Sequence, residues 1–258
     1  MFQAELVGID TPRYPARLSS IPSPPAQLWV RGTLPPPDAV AIVGTRRPTA
    51  FGRKVAQAVV ASALEAGLAV VSGLALGVDT VVHESVLARG GHTWAVLGSG
   101  VDLPTPISNE KLAEEIVAMG GGLISEVPPP TAASPALLVA RDRIQSGLAL
   151  AVVICQCETS SGAMHTARFA LAQGRVLAVA GPKGHDREVN ASAGNLALSD
   201  PAGCDPALLS ATGETAELIR GRRPVADVVI DSPDELTLLW ERLFANSRPM
   251  PKHRAEGL

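Results

Sequence analysis

Short apolar runs alternate with segments of helical periodicity between residues 39 and 180. Residues 40–43 are wholly apolar, which predicts a buried strand. Residues 51–66 are predicted to form a helix that has Val55, Val59 and Ala63 on one face. The same pattern predicts strands at residues 68–71, 93–97, 123–124, 150–155 and 176–180, and helices at residues 78–89, 109–119 (capped by Ser108), 135–146 and 162–173. This alternation predicts a doubly wound, mostly parallel α/β sheet with helices on both faces.

The two ends of the chain depart from this pattern. Residues 1–38 hold eight prolines, which predicts either a linker or a Pro-rich leader that wraps the domain and packs on the core through the apolar residues 28–30. The predicted α/β domain covers residues 39–210, and residues 211–258 form a C-terminal extension. Residues 232–244 of that extension have the spacing of one capped helix, and residues 245–258 are polar and predicted to be frayed.

The composition is that of a globular protein with a real core. The chain has 258 residues, of which 46% are hydrophobic and only 3% are aromatic, so Ala, Val and Leu must fill most of the interior. The formal net charge of −3 argues mildly against a strong nucleic-acid binder. The basic residues nevertheless cluster locally, at Arg46, Arg47, Arg53 and Lys54, at Arg141 and Arg143, and at Arg220, Arg222 and Arg223.

Nothing in the sequence predicts export or membrane insertion. The longest apolar run, residues 147–155, is far shorter than the roughly 18 residues that a membrane span needs. The N-terminus shows no secretory signal, and an odd count of three cysteines indicates a reducing compartment. Because Cys155 and Cys157 alternate along a strand, they are expected to face opposite sides and to bind no metal. We therefore expect a cytoplasmic protein without membrane contact.

The loops that follow the predicted strands are small and polar. In an open α/β sheet, these loops meet at the carboxyl edge, where ligands bind. Glycines let a ligand approach the backbone, helix N-termini offer free N–H groups to an anion, and arginines add charge-assisted hydrogen bonds. The residues predicted to bind phosphate on this basis are Gly44, Thr45, Arg46, Arg47, Ser72, Gly73, Gly98, Ser99, Ser161, Gly162 and Lys183.

Common signatures of catalysis are missing from these loops. The dinucleotide fingerprint GxGxxG and the phosphate loop GxxxxGK[ST] do not occur, so NAD and ATP enzymes of those types are not supported. His83 is open to a catalytic interpretation, but a structural role, bonded to Asp79 or to a backbone carbonyl, is favoured. We predict no catalytic residue, no cofactor and no metal.

Several segments together resemble the DNA-processing protein A (DprA/Smf) family, from about residue 14 to about residue 210. They are Tyr14-Pro15 with residues 28–32 (LWVRG), residues 43–48 (VGTRRP), residues 72–79 (SGLALGVD) with His83, residues 95–102 (AVLGSGVD), residues 125–129 (SEVPP), residues 141–148 (RDRIQSGL), residues 161–167 (SGAMHTA) and residues 174–181 (GRVLAVAG). The chain departs from the family pattern at Leu138-Val139, where the family usually has Phe-Pro, and in a shortened segment at residues 192–196. Two further departures are single residues. Asp142 stands where the family has Asn, and Gln156 stands where it has a strand-end Glu.

The resemblance implies an extended Rossmann-like domain that forms a homodimer and binds single-stranded DNA in a basic pocket. It places Arg46 in that pocket and puts Arg141 and Arg143 in the segment that lines it. It also implies that the protein loads a RecA-type recombinase onto DNA taken up during natural transformation. Its expected role is therefore in competence and DNA recombination. The family's N-terminal helical domain and C-terminal winged-helix domain are expected to be missing.

Three functions are compatible with these observations. The first is a protein that binds single-stranded DNA mainly through its phosphates and is not an enzyme. The second is a sensor or processing enzyme for a small nucleotide, although residues 160–166 lack the Pro-Gly-Gly-x-Gly-Thr loop of phosphoribohydrolases on related folds. The third is an interaction scaffold with an unused pocket.

Overall fold

The computed structural model describes residues 4–245, so the predicted frayed tail lies almost wholly outside the described residues. The strands are β1 (Glu5–Gly8), β2 (Gln27–Gly32), β3 (Ala39–Val43), β4 (Ala69–Ser72), β5 (Thr93–Leu97), β6 (Gly122–Ser125), β7 (Ala151–Ile154), β8 (Val176–Ala180) and β9 (Val228–Ile230). The α-helices are α1 (Ala16–Ser19), α2 (Ala50–Glu65), α3 (Val78–Leu87), α4 (Glu110–Ala118), α5 (Pro135–Leu148), α6 (Gly162–Ala172), α7 (Ala193–Ser199), α8 (Gly213–Arg220) and α9 (Pro233–Ala245).

All nine strands form one sheet in the order β1-β2-β6-β5-β4-β3-β7-β8-β9. The strands from β6 to β9 are parallel, whereas β1 and β2 are antiparallel to their neighbours. The chain builds from β3 outward to β6 and then returns to place β7 on the other side of β3. The predicted doubly wound, mostly parallel α/β fold is therefore confirmed, with its topological switch point between β3 and β7.

Both faces of the central strands are buried beneath helices. Val40 and Ile42 of β3 pack in one cluster with α2, α3 and α9, whereas Ala41 and Val43 pack on the opposite face with α6 and α8. This explains why the central strands are apolar runs without alternation. Cys155 and Cys157 lie in these two opposite clusters, as their spacing predicts.

The Pro-rich leader does more than wrap the domain. It supplies β1 and β2, and β2 extends the sheet antiparallel to β6. Leu28 and Val30 are buried in a cluster with Leu18 and Ile21, while Trp29 packs on the other side of the sheet. Because these strands are short and lie among prolines, the alternation of buried and exposed residues along them is not recognisable in the sequence.

The sheet also continues beyond residue 210, where the sequence pattern is weak. The three-residue strand β9 pairs in parallel with β8, and α9 packs against α2, with Trp240 Nε1 donating to Ser62 Oγ at 2.8 Å. The prediction that Ser108 caps α4 is wrong. Residues Ile107–Asn109 form a 3₁₀ turn, so Asn109 takes the position before α4, and its amide donates to Leu74 O at 2.8 Å.

None of the described helices combines the length and the apolar character that crossing a membrane requires.

Two adjacent leucines on α9 test whether this helix belongs to the cooperative core. Leu239 is 1% exposed and Leu238 is 61% exposed. We expect Leu239→Ala to lower the free energy of unfolding by about 2–5 kcal/mol because it leaves a cavity between α9 and the sheet. Leu238→Ala, the matched control, should change it by less than about 0.5 kcal/mol. Urea denaturation followed by circular dichroism measures both, and equal effects would contradict the packing of α9.

Candidate nucleic-acid interface

A cavity of about 500 Å³ opens at the carboxyl edge of the sheet, at the switch point between β3 and β7. One wall is the loop after β3, and the second is the amino-terminal half of α5. The third consists of residues 158–166, which include the start of α6. Ligands of doubly wound folds bind at this position, so the topology itself places a candidate site here.

The loop after β3 is held rigidly at the mouth of this cavity. The Thr45 N–H donates to Gln156 O at 2.6 Å, and Thr45 O accepts from Val78 N at 3.1 Å, so the loop is bound both to the end of β7 and to the start of α3. Gly77 has a φ of 85°, and a side chain at this position would collide with the backbone of Thr45 and Arg46. This close approach fixes the backbone while the side chains of Arg46 and Arg47 remain exposed.

Gln156 supports the same loop from beneath. Its side chain is fully buried, its Oε1 accepts from Thr49 N at 2.9 Å, and its Nε2 donates to Ser192 Oγ at 3.0 Å. An amide provides both the acceptor and the donor that these two partners need. Gln156 therefore ties the loop after β3 to the segment before α7, and it does not line the cavity.

Arg141 reaches from α5 to the ends of two strands. Its side chain is 8% exposed, and one terminal nitrogen donates to Gly73 O at 2.7 Å and to Val96 O at 2.6 Å. A side chain at Gly73 would overlap this guanidinium, so the glycine leaves the space that Arg141 occupies. Arg141 lines the cavity, but much of its hydrogen-bonding capacity holds α5 against the sheet.

Carboxyl groups offset the arginines in this cavity. Arg46, Arg47 and Arg141 line it together with Asp79, Asp142 and Glu158. Burial raises the pKa of Asp142 to about 7, with Asp79 adding to the rise and Arg141 and Arg46 opposing it. Burial also raises the pKa of Asp79, opposed by Arg141 and by hydrogen bonds. As the pH falls through about 7, Asp142 gains a proton and the lining acquires positive charge.

Two neighbouring donors favour the ionised form of Asp142 and so oppose the effect of burial on its pKa. Its Oδ1 lies 3.0 Å from Arg141 Nε. The Gln145 amide, oriented so that both of its polar atoms are satisfied, donates to the same oxygen at 3.1 Å and accepts from Gly73 N at 3.0 Å. Asp142 therefore belongs to the network that holds α5 in place and also contributes to the charge of the cavity.

The structure brings together seven of the residues predicted to bind phosphate. Those that line the cavity are Gly44, Thr45, Arg46, Arg47, Arg141, Ser161 and Gly162. Ser161 caps α6 by accepting from Ala163 N at 3.3 Å, so the free N–H groups of the first turn of α6 lie beside the arginine loop.

The other six predicted residues lie outside the lining: Ser72, Gly73, Gly98, Ser99, Arg143 and Lys183. The two serines are buried and donate to the backbone, Ser72 to Ile42 O and Ser99 to Leu103 O. Gly98 packs against the start of α5.

The two cations among these six have partners elsewhere. Arg143 pairs with Glu126 and donates to Ser23 O at 3.1 Å, and Lys183 donates to Asp231 O at 2.8 Å.

Sequence reasoning missed Glu158 and His165 in the lining. His165 lies four residues after Ser161, a spacing that places both on one side of α6, and this is the signal that identifies it. Its Nδ1 is buried without a hydrogen-bond partner among the described residues, and burial together with Arg168 lowers its pKa.

His83 is buried outside the cavity, and its surroundings support the structural interpretation. Its Nδ1 lies 2.9 Å from Thr93 Oγ1, which itself donates to Val70 O, so Nδ1 is the donor to the threonine. The prediction that His83 bonds to Asp79 or to a backbone carbonyl is therefore wrong. Burial, reinforced by Arg141, lowers the pKa of His83 to about 3, so it is neutral at physiological pH. Among the described residues, no cluster of His, Cys, Asp and Glu is suited to a metal.

Known proteins resemble this chain over most of its length. Protein Smf of Synechocystis is 42% identical over 171 residues, which are 62% of this chain and 42% of that protein. DNA processing protein DprA of Bacillus subtilis is 37% identical over 179 residues, covering 68% of this chain and 60% of that protein. The chain spans roughly two fifths to three fifths of the length of the curated relatives that it matches.

Two solved structures share the fold. The DNA processing protein A of Helicobacter pylori, described for its single-stranded DNA binding mode, has a TM-score of 0.71 at 25% identity and covers 95% of this chain and 97% of its own. The Streptococcus pneumoniae DprA has a TM-score of 0.64 at 30% identity, covering 76% of this chain and 74% of its own. The family described as DNA recombination-mediator protein A matches residues 5–203. The chain therefore belongs to the DNA recombination-mediator protein A family, that of DprA and Smf.

Proposed function

We propose that this chain binds single-stranded DNA through the cavity at its switch point and does so without catalysis. The observation that carries the proposal is the rigidly held loop that exposes Arg46 and Arg47 at the cavity mouth. The description of the Helicobacter pylori relative, which concerns single-stranded DNA binding, supports the choice of ligand.

The geometry suits the phosphates of a flexible strand. A guanidinium binds a phosphate with two parallel hydrogen bonds, and the N-terminus of α6 beside Ser161 and Gly162 offers further N–H donors to an anion. Among the described residues that line the cavity, none is Phe, Tyr or Trp. Stacking therefore contributes little, and the binding should show little preference for sequence.

The wider role that fits this binding is that of a recombination mediator. In it, the chain holds incoming single-stranded DNA in the cytoplasm, acts as a homodimer, and passes the strand to a RecA-type recombinase during natural transformation. The family's description as recombination mediators supports this role, and two-fold symmetric dimers are the commonest assemblies.

Replacement of Arg46 tests the site directly. With a labelled oligothymidylate, fluorescence anisotropy should show binding whose logarithmic affinity falls with logarithmic salt concentration by about 0.7 per phosphate neutralised. Arg46→Ala should weaken binding by about tenfold and reduce that slope by about 0.7, because one phosphate contact is lost. Arg53→Ala, which removes an exposed arginine of α2 outside the lining, is the matched control.

The alternatives give different results in the same assay. Salt-independent binding, or equal losses in Arg46→Ala and Arg53→Ala, would contradict phosphate recognition in this cavity. An absence of DNA binding at low salt, combined with heat released on adding a nucleoside monophosphate, would favour the small-nucleotide function instead.

The pH should also control affinity through Asp142. Burial holds the pKa of this carboxyl at about 7, and a nearby phosphate raises it further, so DNA binding takes up a proton. We expect affinity for the oligothymidylate to fall about fivefold between pH of about 6 and about 8. Asp142→Asn keeps the shape of the side chain and cannot ionise, so it should bind as tightly at the higher pH as at the lower. An equally steep profile in this variant would show that another group is responsible.

A further inference from the structure

A second cavity, of about 510 Å³, lies at the opposite edge of the sheet. Its walls are α1, residues 34–37, the end of α5 at Leu148, and Arg175. The last three segments directly precede β3, β7 and β8, so the cavity lies at the amino ends of the parallel strands. It is therefore separate from the candidate nucleic-acid interface.

Three arginines line this cavity, and its lining includes no carboxylate among the described residues. Arg13 pairs with Glu5, and Asp38 acts electrostatically on Arg17. Arg175 instead donates to backbone carbonyls, to Arg17 O at 2.9 Å and, more weakly, to the last turn of α5. Glu5 and Asp38 can offset two of the three guanidinium charges, so within residues 4–245 one positive charge has no acidic partner.

One of these arginines, Arg17, is incompletely satisfied. Arg17 Nε is buried and has no hydrogen-bond partner in the described part of the chain. Burial lowers the pKa of Arg17, and it lowers the pKa of Arg175 to about 10 with the charge of Arg17 adding to the effect. Buried donors in folded proteins nearly always have an acceptor, so an oxyanion would supply the acceptor that Arg17 lacks and would offset the charge of Arg175.

The remaining walls are apolar. Leu34 and residues 35–37, which are all proline, form one side, and Leu148 at the end of α5 adds to it. Proline has no N–H group to offer a ligand, so this side suits hydrocarbon rather than a second charged group. The volume lies within the range of small-molecule pockets, about 300–1,000 Å³.

We propose that this second cavity binds a small organic anion, whose phosphate or carboxylate group contacts Arg17 and Arg175 and whose apolar body lies against Leu148 and the prolines at 35–37. The site is independent of DNA binding at the carboxyl edge, because the two cavities share no lining residue.

Isothermal titration calorimetry on the full chain tests the proposal with three probes of similar size: phenyl phosphate, benzoate and the neutral benzyl alcohol. The titrations are made in Arg46→Ala, which weakens any anion binding at the first cavity. We expect saturable binding of at least one of the two anions and none of the alcohol. A preference between phenyl phosphate and benzoate shows which anionic group the cavity favours.

Adding Arg17→Gln to this background should weaken anion binding by about tenfold, since a charge-assisted hydrogen bond is lost. This variant keeps the backbone carbonyl of Arg17 that Arg175 binds, and an unchanged circular dichroism spectrum confirms that it folds. Arg53→Gln is the matched control and should leave the affinity unchanged. No saturable binding of either anion, equal affinity in Arg17→Gln, or equal affinity for benzyl alcohol would overturn the proposal.

Discussion

The pairing of β3 with β7 is the constraint on which the proposed site depends. These strands meet in parallel from Val40 opposite Ala151 to Val43 opposite Ile154, all without appreciable exposure to solvent. The chain leaves the two strands in opposite directions, so their following loops separate and open the cavity. The hydrogen bond from Thr45 N to Gln156 O extends this pairing into the loops and sets the position of the exposed arginines.

The charge of the cavity is a balance rather than a simple excess of arginine. Arg141 is buried where it holds α5 to the strand ends. Asp142 and Asp79 lie close enough to interact electrostatically with its guanidinium. A buried guanidinium without carboxylates would carry a large desolvation cost. Asp142 and Asp79 offset part of the charge of Arg141, although burial opposes their ionisation. Arg46 and Arg47 are exposed at the mouth of the cavity, where the proposed function places the attraction for phosphate.

Much of the fold follows from local patterns in the sequence, but the roles of the individual residues in the site do not. The apolar runs at residues 93–97 and 176–180 coincide with β5 and β8 because central parallel strands are buried on both faces. Strands β1, β2 and β9 lie at or near the sheet edges, and their short apolar runs, at residues 6–7, 28–30 and 228–230, fall outside the alternating pattern of residues 39–180. Arg143 pairs with the Glu126 carboxylate and Lys183 donates to the backbone carbonyl of Asp231, partners that only the tertiary fold brings to them.

The most direct test of the central claim is a crystal structure of the chain with a short oligothymidylate. A phosphate held by the Arg46 guanidinium, beside the first turn of α6 in the cavity between β3 and β7, is the predicted result. A strand whose phosphates lie on another surface, with this cavity empty, would contradict the account.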